Sequence, residues 1–452
     1  MSTQIALRVP ADVTEVVRRL QEAGHEAYVV GGCVRDALRD VEPADWDVTT
    51  CAHPPEIQRI FRRSLYTNRF GTVVVQMGDR EIEVTTFRLE STYADHRRPD
   101  SVAFTDSLEA DLSRRDFTMN AMAWRPGEGG GGGGELVDPF GGRADLARGL
   151  VRAVGDPGQR FAEDALRMLR AVRFATLLRL DLEPGTADAI VTHAGLASAL
   201  SGERIQQELV KILQAPVPSV GLRMLSDLGL LRVICPELED CKQIPQDKAV
   251  AVNVFEHSLI TVDATPADDL VLRLAGLFHD IGKPETFADG HFHQHEFVGE
   301  GKTRVILRRW KFSREIISAV THLVRNHMFW YQTDWTGSAV RRFVRKIGLE
   351  NIPPLFALRR ADNIGSGIRA PRLYALEDLW ERVQEEIHRA VAFSTRDLAI
   401  DGHDVMTVLG VPQGPLVGAV MNELFERVLD DPDQNTRERL LELGREIVRT
   451  TT

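Results

Sequence analysis

The sequence predicts an α+β multidomain protein, with a mixed sheet and helices in the first third and an all-α remainder. Short β-branched runs alternate with helical patterns over roughly the first 150 residues. After Val151, apolar residues recur almost throughout at helical spacing. At 452 residues the chain is also too long for one ordinary domain. These three observations together predict the fold class.

Composition bounds the class of protein. The chain is 43% hydrophobic and 27% charged, as in soluble proteins with buried cores. It offers no run of the ~18 apolar residues that a membrane span needs, so no membrane is predicted. Four cysteines without a C-x-x-C pair predict a reduced, cytoplasmic location. The net charge of −11 argues against a wholly positive surface, but a local basic face could still bind RNA.

Each element of the first third follows from a local pattern. "VTEVVRRLQEAG" has helical spacing and a glycine stop at Gly24, whereas "AYVV", "DWDVTTC" and "GTVVVQM" have the composition of strands. "REIEVTTFR" alternates, which places Glu81, Glu83 and Thr85 on one face of a strand. The glycine run at 127–134 lies between two strand-like segments and is predicted to be a hairpin tip.

The remainder divides into helical blocks. Residues 160–180, "RFAEDALRMLRAVRFATLLRL", are predicted as one amphipathic helix, and "GERIQQELVKIL" as the next. A proline-rich break, "QAPVPSV", suggests a boundary near residue 215. The predicted domains are a head (1–152), a helical neck (153–215), a helical body (216–370) and a helical tail (371–452).

A pair of acidic residues lies in "DWDVTT". Within a strand, residues i and i+2 point to the same side, so Asp45 and Asp47 would present two carboxylates to one place. Such like charges repel unless a cation lies between them, and hard oxygen ligands suit Mg²⁺. Glu83 on a neighbouring strand is the expected third carboxylate, with Glu81 as the alternative. Two Mg²⁺ ions bound there could assist phosphoryl transfer.

Gly31 and Gly32 follow a predicted strand and open a predicted helix. Glycine permits close backbone approach, and the free N–H groups of a helix N-terminus suit phosphate. Arg35 lies one turn further along and could neutralise that phosphate. This segment is therefore a predicted phosphate-binding turn.

The segments "GGCVRD" and "DWDVTT" resemble the signature of the polymerase-β-like nucleotidyltransferases. More narrowly, they resemble class II tRNA nucleotidyltransferases (CCA-adding enzymes) and bacterial poly(A) polymerases. The resemblance implies that an RNA 3′-hydroxyl attacks the α-phosphate of CTP or ATP, with tRNA as partner and with Asp45, Asp47 and Glu83 as catalytic residues. Four later segments match the same families: "RRDFTMNAMA", "DPFGG", "RFAEDALRMLRAVRFA" and "ERIQQELVKIL".

Asp164 and Arg167 are spaced as neighbours on one helical face. A carboxylate beside a guanidinium matches the amino group and acceptor that cytosine and adenine share, although an exposed salt bridge has the same spacing. The resemblance favours a protein template in the neck, with Glu163 positioning Arg167. It also implies a flexible loop at 88–112. Further residues are implied to contact the nucleotide or its triphosphate: Arg114, Arg115, Asp116, Asn120, Arg160 and Arg170.

Histidines concentrate in residues 257–327. The order His257, then His279-Asp280, then Asp362 resembles the HD phosphohydrolase domain. The resemblance implies a divalent metal there, Mg²⁺, Mn²⁺ or Ni²⁺, and His295 and His327 could complete a second metal position. Whether this site is catalytic stays open, because the domain could instead only dock RNA.

Three functions remain open at this point. The first is CCA addition to tRNA, the second is a poly(A) polymerase or a partial enzyme adding only CC or only A, and the third is an HD phosphohydrolase with a nucleotide- or RNA-binding head. The tail is predicted to bind RNA, and the oligomeric state is unknown. Candidate RNA contacts in the helical half are clustered basic residues: Arg304, Arg308, Arg309, Lys311, Arg314, Arg341, Arg342, Arg345, Lys346, Arg359 and Arg360.

Overall fold

A computed structural model describes residues 2–67, 71–90, 102–127, 133–246, 250–289, 291–367, 371–389 and 393–451. The chain forms two compact units, Met1–Glu239 with Arg309–Lys311, and Asp240–Arg308 with Phe312–Thr452. The first unit contains a mixed sheet with helices and the second is largely helical, which confirms the predicted fold class. The first unit continues past the proline-rich segment at 214–220, and the finer division into head, neck, body and tail stays a prediction.

The described strands of the first unit are β1 (Ser2–Ala6), β2 (Ala27–Val30), β3 (Asp47–Thr50), β4 (Ser64–Tyr66), β5 (Thr72–Met77), β6 (Arg80–Thr86), β7 (Arg88–Glu90), β8 (Val102–Phe104), β9 (Ala123–Pro126), β10 (Gly133–Val137), β11 (Leu150–Val151) and β12 (Asp181–Leu182). Eight of them form one sheet in the order β1-β10-β9-β2-β3-β6-β5-β4. Of these neighbours only β3 and β6 run parallel.

The helices of the first unit cover the sheet and then continue the chain. They are α1 (Ala11–Glu22), α2 (Gly32–Leu38), α3 (Pro54–Ile60), α4 (Leu108–Ser113), α5 (Gly142–Ala147), α6 (Pro157–Glu163), α7 (Leu166–Leu178), α8 (Pro184–His193), α9 (Gly202–Leu213), α10 (Pro218–Asp227), α11 (Leu230–Ile234) and α12 (Pro236–Glu239).

Both faces of the sheet are packed. Val29 joins a core that includes Val13 and Val17 of α1 and Ile57 of α3. Its neighbour Val30 joins a separate core cluster with residues of α4, because successive side chains of a strand point to opposite faces. This burial on both sides explains why β2 is a continuous apolar run.

The predicted hairpin around the glycine run is confirmed by the pairing of β9 with β10. Residues 128–132 at its tip lie outside the described residues. The predicted loop at 88–112 is only partly a loop, since β7 pairs with β8 and α4 follows. Residues 91–101, the centre of that loop, also lie outside the described part of the chain.

The single helix predicted for residues 160–180 is wrong, because the chain forms α6 and α7 with a break at Asp164. Asp164 is extended, with φ −144° and ψ 104°. Its carboxylate accepts the backbone N–H of Leu166 at 3.0 Å, as a helix-capping side chain does. The apolar spacing continues across the break, so periodicity alone could not show it.

The second unit is built from helices and one short hairpin. One hydrophobic core cluster of this unit lies among the last helices and includes Leu398, Val405, Leu424 and Leu440. No helix of the described residues is long and apolar enough to cross a membrane. Its elements are α13 (Val254–Asp263), α14 (Leu270–Phe278), α15 (Lys283–Thr286), β13 (Phe287–Ala288), β14 (His291–Phe292), α16 (His295–Arg309), α17 (Arg314–Asn326), α18 (Gly337–Ile347), α19 (Ile352–Gly365), α20 (Pro371–Arg389), α21 (Gly402–Thr407), α22 (Pro415–Asp430) and α23 (Arg437–Thr451).

Candidate active site and metal centre

One cavity of about 760 Å³ in the first unit brings most of the predicted site residues together. Carboxylates lie among its lining residues with several arginines. Gly31 and Glu163 contact lining residues but do not line the cavity themselves. The predicted residues that line it are Gly32, Arg35, Asp45, Asp47, Glu83, Arg114, Arg115, Asp116, Asn120, Asp164, Arg167 and Arg170.

The three predicted acids come from two neighbouring segments. Asp47 is the first residue of β3 and lies opposite Glu83 of the parallel strand β6. Asp45 lies before β3, so the strand argument for pairing it with Asp47 is wrong. Asp45 reaches the cavity from the preceding loop, where buried Trp46 anchors the chain at 4% exposure. The β-rich composition of "DWDVTT" predicted a strand that includes Asp45, whereas the strand begins two residues later, at Asp47.

The surroundings of Asp47 disfavour its charged form. Burial raises the pKa of Asp47 to about 6, with further increases from Glu83 and Asp45 and an opposing effect from Arg115. Like charges brought together without a counter-ion shift a carboxyl in this direction. Within the described residues, these three carboxylates do not form a group with all ligand atoms within 4.8 Å of one another. The three carboxylates line one cavity and are hard oxygen donors, the kind of ligand that suits a divalent cation.

Glu81, the alternative third acid, is not part of the cavity lining. It pairs with Gln76, whereas β3 meets β6 only from Glu83 onward. Both glutamates are exposed on the same face of β6. Because Glu83 lies opposite Asp47, the strand register favours Glu83 over Glu81 as the third acid.

Gly31 gives the turn before α2 a conformation that other residues rarely adopt, with φ 87° and ψ −135°. A Cβ there would lie 2.8 Å from Nη1 of Arg115. The Gly31 N–H donates to the Met122 carbonyl at 3.1 Å. The turn therefore requires glycine both for its backbone and for the close approach of Arg115.

Gly31→Ala is expected to lower the free energy of unfolding by about 2–3 kcal/mol, because backbone strain and displacement of Arg115 add together. Gly24→Ala is the matched control, since Gly24 has φ 89° but nothing within 4 Å of its Cβ position. Urea denaturation of both variants measures the difference. Equal losses would show that Arg115 adjusts at no cost.

Arg35 is more firmly held than its predicted phosphate role suggests. It lies in α2 at 8% exposure. Its Nε and Nη2 donate to Asp36 at 2.9 and 2.8 Å, and its Nη1 donates to Oδ1 of Asn120 at 2.8 Å. Much of its charge is thus neutralised by Asp36. In this structure Arg35 chiefly joins α2 to Asn120.

Asp111, a buried acid that holds two of the cavity arginines, was not predicted from the sequence. It is fully buried in α4, and its Oδ1 accepts Nε and Nη2 of Arg114 at 2.9 and 2.8 Å. Its Oδ2 lies 3.6 Å from Nη2 of Arg115. Burial opposes ionisation, but the two arginines outweigh it and lower the pKa of Asp111. The i, i+3 and i, i+4 spacing was the available signal.

Asp116 is a second buried acid, and it holds two residues that line the cavity. Oδ2 of Asp116 accepts Nε of Arg170 at 2.8 Å, and its Oδ1 accepts the side-chain amide of Asn120 at 3.1 Å. Burial acts to raise the pKa of Asp116, but Arg170 and Asn120 outweigh it and lower the pKa to about 2. Asp116 is therefore ionised at neutral pH and positions the two predicted nucleotide contacts.

The predicted template pair does not form the predicted helical contact. Asp164 lies between helices, and its Oδ2 accepts Nη2 of Arg204 from α9 at 2.7 Å. Arg167 instead donates its Nη1 to Oε2 of Glu163 at 2.7 Å and its Nη2 to the Arg114 carbonyl at 3.0 Å. Glu163 thus holds Arg167 as the resemblance implied. Asp164 and Arg167 still line the same cavity, each anchored by its own partner.

Arg204 and Arg173 are further lining residues that were not predicted. Nη1 of Arg204 is buried without a hydrogen-bond partner in the described part of the chain. Arg173 is 6% exposed and lies 3.2 Å from Glu208, Nε to Oε2. Arg204 and Glu208 both belong to "ERIQQE", so the family match was a signal that individual spacing could not supply.

A separate, buried cluster in the second unit contains all six residues predicted from the histidine block. His257 lies on α13, His279 and Asp280 follow α14, and Asp362 lies on α19. Nε2 of His257 lies 3.0 Å from Nε2 of His279 and 3.1 Å from Oδ1 of Asp362. On the other side of Asp280, its Oδ1 lies 3.2 Å from Nε2 of His295 and 3.6 Å from Nε2 of His327.

The imidazole rings are oriented as metal ligands usually are. The Nδ1 atoms of His279, His295 and His327 lie 2.9, 3.0 and 2.7 Å from backbone carbonyls, so a proton on each would be donated there. Each Nε2 is then left to face the cluster. Burial lowers the pKa of His279 to about 4, which keeps its imidazole neutral. These donors fit two divalent cations that share Asp280.

Seven of the arginines predicted as RNA contacts are paired with acids in the structure, and which basic residues contact RNA stays a prediction. Arg341 contacts Glu386, and its Nε donates to the Leu429 carbonyl at 2.7 Å. Arg342 pairs with Glu426 at 3.2 Å, and Arg345 contacts the same glutamate. Arg304, Arg309, Arg359 and Arg360 are also paired with acids. The sequence shows the cations of a face but not the acids that other helices bring to it.

Comparison with protein families assigns three segments. Residues 27–152 match the Poly A polymerase head domain. Residues 179–242 match the family described as an RNA and SrmB-binding site of polymerase A. Residues 296–443 match tRNA nucleotidyltransferase domain 2. The cavity of the first unit draws most of its residues from the first of these segments.

Comparison with whole proteins extends this likeness over nearly the full chain. The CCA-adding enzyme of Limosilactobacillus reuteri is 34% identical over 438 residues, covering 96% of each chain. That of Levilactobacillus brevis is 36% identical over 429 residues, covering 94% of this chain and 95% of the relative. The crystal structure of the Bacillus stearothermophilus CCA-adding enzyme in complex with CTP matches with 30% identity and a TM-score of 0.72, covering 97% and 98% of the two chains. This chain therefore belongs to the CCA-adding enzymes, a family of tRNA nucleotidyltransferases.

Proposed function

We propose that this protein adds CCA to tRNA 3′ ends from CTP and ATP, with Asp45, Asp47 and Glu83 binding Mg²⁺ in the cavity of the first unit. One observation carries the proposal: a single cavity joins three carboxylates to a set of arginines and to the Asp164–Arg167 pair. Bound Mg²⁺ would lower the pKa of the RNA 3′-hydroxyl and neutralise the departing pyrophosphate. The raised pKa of Asp47 supports a cation at these acids.

The arginines are suited to hold the triphosphate. Arg114 and Arg115 are held by Asp111, and Arg170 by Asp116, so their positions are fixed before the nucleotide arrives. Preorganised donors lose little entropy on binding and stabilise charge that moves to the leaving group. Gly31, Gly32 and Arg35 stay proposed contacts of the same triphosphate, and Asn120 links Arg35 to Asp116.

The base would be read by Asp164 and Arg167 in place of a nucleic-acid template. A carboxylate accepts the exocyclic amino group of cytosine or adenine, and a guanidinium donates to the adjacent acceptor. Glu163 holds Arg167 and Arg204 holds Asp164. Uracil and guanine present the opposite groups at these positions and would leave polar groups unpaired.

The test is incubation of the purified protein with tRNA lacking its CCA end, labelled CTP and ATP, and Mg²⁺. Addition of three nucleotides in the order C, C, A is the expected result. A long A-tail on generic RNA would favour a poly(A) polymerase, and addition of only CC or only A would favour a partial enzyme. Absence of incorporation would contradict the proposal.

The histidine–aspartate cluster is proposed to bind a divalent metal, Mg²⁺, Mn²⁺ or Ni²⁺, in the second unit. His257, His279, Asp280 and Asp362 would hold one ion, and His295 and His327 would share Asp280 with another. The convergence of six buried donors supports this, since buried charges and imidazoles otherwise require separate partners. A metal-dependent phosphohydrolase activity is part of this proposal.

His279→Ala is expected to remove at least one equivalent of metal per chain, because the cluster loses one Nε2 donor. CMP incorporation should stay within about twofold of wild type, since the predicted catalytic acids lie in the other compact unit. Elemental analysis of dialysed protein and incorporation assays measure the two effects. His291→Ala is the control, because His291 is exposed and outside the cluster. Retention of full metal content would contradict the assignment.

A cytoplasmic location is proposed as well. All four cysteines, Cys33, Cys51, Cys235 and Cys241, are free thiols. Free thiols are typical of proteins in reducing compartments.

A further inference from the structure

Phe174 of α7 is the only aromatic side chain among the described residues that line the cavity of the first unit. The rest of the lining is mostly polar or charged. Its ring packs edge-on against Phe117, with a centroid distance of 5.7 Å and an interplanar angle of 82°. Packing of this kind is ordinary for two buried rings. It does not explain why one of the two rings reaches a wall of arginines and carboxylates.

Three guanidinium groups lie close to the ring of Phe174. The Cζ atoms of Arg173, Arg35 and Arg170 lie 4.2, 5.2 and 5.5 Å from its centroid. Each distance is within the ~6 Å over which an aromatic ring attracts a cation. The three arginines come from two helices, α2 and α7, and all three line the cavity. Phe174 is therefore a common neighbour of three cations of this site.

Arg173 is the least firmly held of these three arginines. Arg35 and Arg170 each donate hydrogen bonds to an acidic side chain. Nε of Arg173 lies 3.2 Å from Oε2 of Glu208, but it makes no hydrogen bond within the part of the chain that the structure describes. Burial lowers the pKa of Arg173, and Glu208 opposes this shift. The nearby charges of Arg170 and Arg35 lower the same pKa further.

An aromatic ring is a suitable neighbour for cations that must lie close together. Guanidinium groups at such short distances repel one another, even where each has an acid nearby. The negative face of a ring offsets part of that repulsion, and more so where water is excluded. A rigid ring also holds the groups around it at fixed separations. A triphosphate, which concentrates several negative charges in a short chain, gains from cations that are gathered before it binds.

We propose that Phe174 is a positioning residue for the triphosphate, whose ring gathers the guanidinium groups of Arg35, Arg170 and Arg173 where the phosphate groups bind. Phe174 acts through these arginines and contacts neither the base nor the reacting atoms. The proposal rests on the proposed function of the cavity, because it concerns how that site holds its nucleotide. Binding of the phosphate chain should therefore depend on the ring, whichever base is attached.

Inorganic tripolyphosphate in EDTA tests the arginines without a base or a metal. Isothermal titration calorimetry of the full chain should show binding about tenfold weaker in Phe174→Leu, because leucine is apolar but has no ring face. Phe117→Leu is the matched control and should bind within about twofold of wild type, since it removes the other ring of the same aromatic contact. Phe117 does not line the cavity, and no described cation lies over its ring. Absence of binding by wild type, or equal affinity in wild type and Phe174→Leu, would overturn the proposal.

Steady-state kinetics separate positioning from a loss of folded enzyme. Phe174→Leu should raise KM for CTP and for ATP by the same factor, about tenfold, with a smaller change in kcat. A merely structural role would lower kcat through the fraction of folded enzyme and leave KM unchanged. Phe174→Tyr keeps the ring and should bind tripolyphosphate within about threefold of wild type. A loss in Phe174→Tyr equal to that in Phe174→Leu, or a fall in kcat alone, would overturn the role of the ring.

These outcomes differ from a failure of the proposed function. In that case wild type would not extend tRNA, whereas binding of tripolyphosphate would still depend on Phe174. If instead the inference about Phe174 fails, wild type and Phe174→Leu would both add CCA with the same KM for CTP and ATP.

Discussion

Asp47→Asn is expected to lower nucleotide addition to tRNA by at least about 10³-fold. An amide keeps the shape of the side chain but loses the charge that would attract Mg²⁺ between β3 and β6. With less Mg²⁺ bound, the 3′-hydroxyl and the departing pyrophosphate would lose the stabilisation that the ion would supply. Single-turnover CMP incorporation measures the loss, and Glu81→Gln is the control, because Glu81 lies on the same strand as Glu83 but outside the cavity.

The same substitution should make the metal-free protein more stable. The folded-state pKa of Asp47, about 6, lies above its ordinary value of 3.8. A carboxyl raised in this way favours folding only below the unfolded pKa, and that contribution is lost as pH rises through about 6. At pH 7.5 in EDTA, Asp47→Asn should therefore raise the free energy of unfolding by about 1–3 kcal/mol.

In the presence of Mg²⁺, wild type should instead be more stable than Asp47→Asn. Wild type gains stability when Mg²⁺ binds the folded state, whereas the variant gains little. Denaturant titrations with and without Mg²⁺ measure both effects. Near-normal incorporation by Asp47→Asn, or an equal Mg²⁺ effect on both proteins, would contradict the role of these acids.

Local patterns were enough to predict several strands of the head, including β2, β5 and β6. The alternation in "REIEVTTFR" correctly placed Glu81 and Glu83 on one face of β6, and the opposite face, with Ile82 and Val84, packs in the core. The order of the strands was not predictable in this way. Only the fold shows that β3 lies beside β6 and so brings Asp47 opposite Glu83.

The two errors within the site have a common origin. Both assumed that a regular element continued through a functional residue. Asp45 lies just before its strand, and Asp164 lies between two helices. Irregular backbone aims these side chains into the cavity, and periodicity carries no information about such breaks.

Contacts between residues that are far apart in the sequence could not be predicted either. Asp111 was passed over as a loop residue, although it holds two of the predicted arginines. Arg204 is forty residues from Asp164 along the chain, yet it donates to it at 2.7 Å. Contacts of this kind depend on how helices pack, which one sequence does not reveal. The six residues of the histidine block do lie in one cluster, as their order and the resemblance predicted, and their role as metal ligands stays a prediction.

Asp164→Asn is expected to raise incorporation of UMP relative to CMP by about tenfold. The carboxylate can only accept, so it pairs with the amino group of cytosine and leaves O4 of uracil without a donor. The amide can turn its NH₂ towards that oxygen. Arg167 would still oppose the N3–H of uracil, so the change in selectivity should be partial. Competition between labelled CTP and UTP on tRNA lacking CCA measures the ratio.

Arg204→Met tests whether Arg204 contacts the base itself or only positions Asp164. It leaves the Asp164 carboxylate intact and removes the donor that holds Oδ2, while the Leu166 N–H still holds Oδ1. CMP and AMP incorporation should both fall by about tenfold with no change in the UMP-to-CMP ratio, because a misplaced carboxylate still prefers an amino group. If Arg204→Met altered the ratio as much as Asp164→Asn, the arginine itself would be reading the base. If neither variant altered it, selection would lie outside this pair.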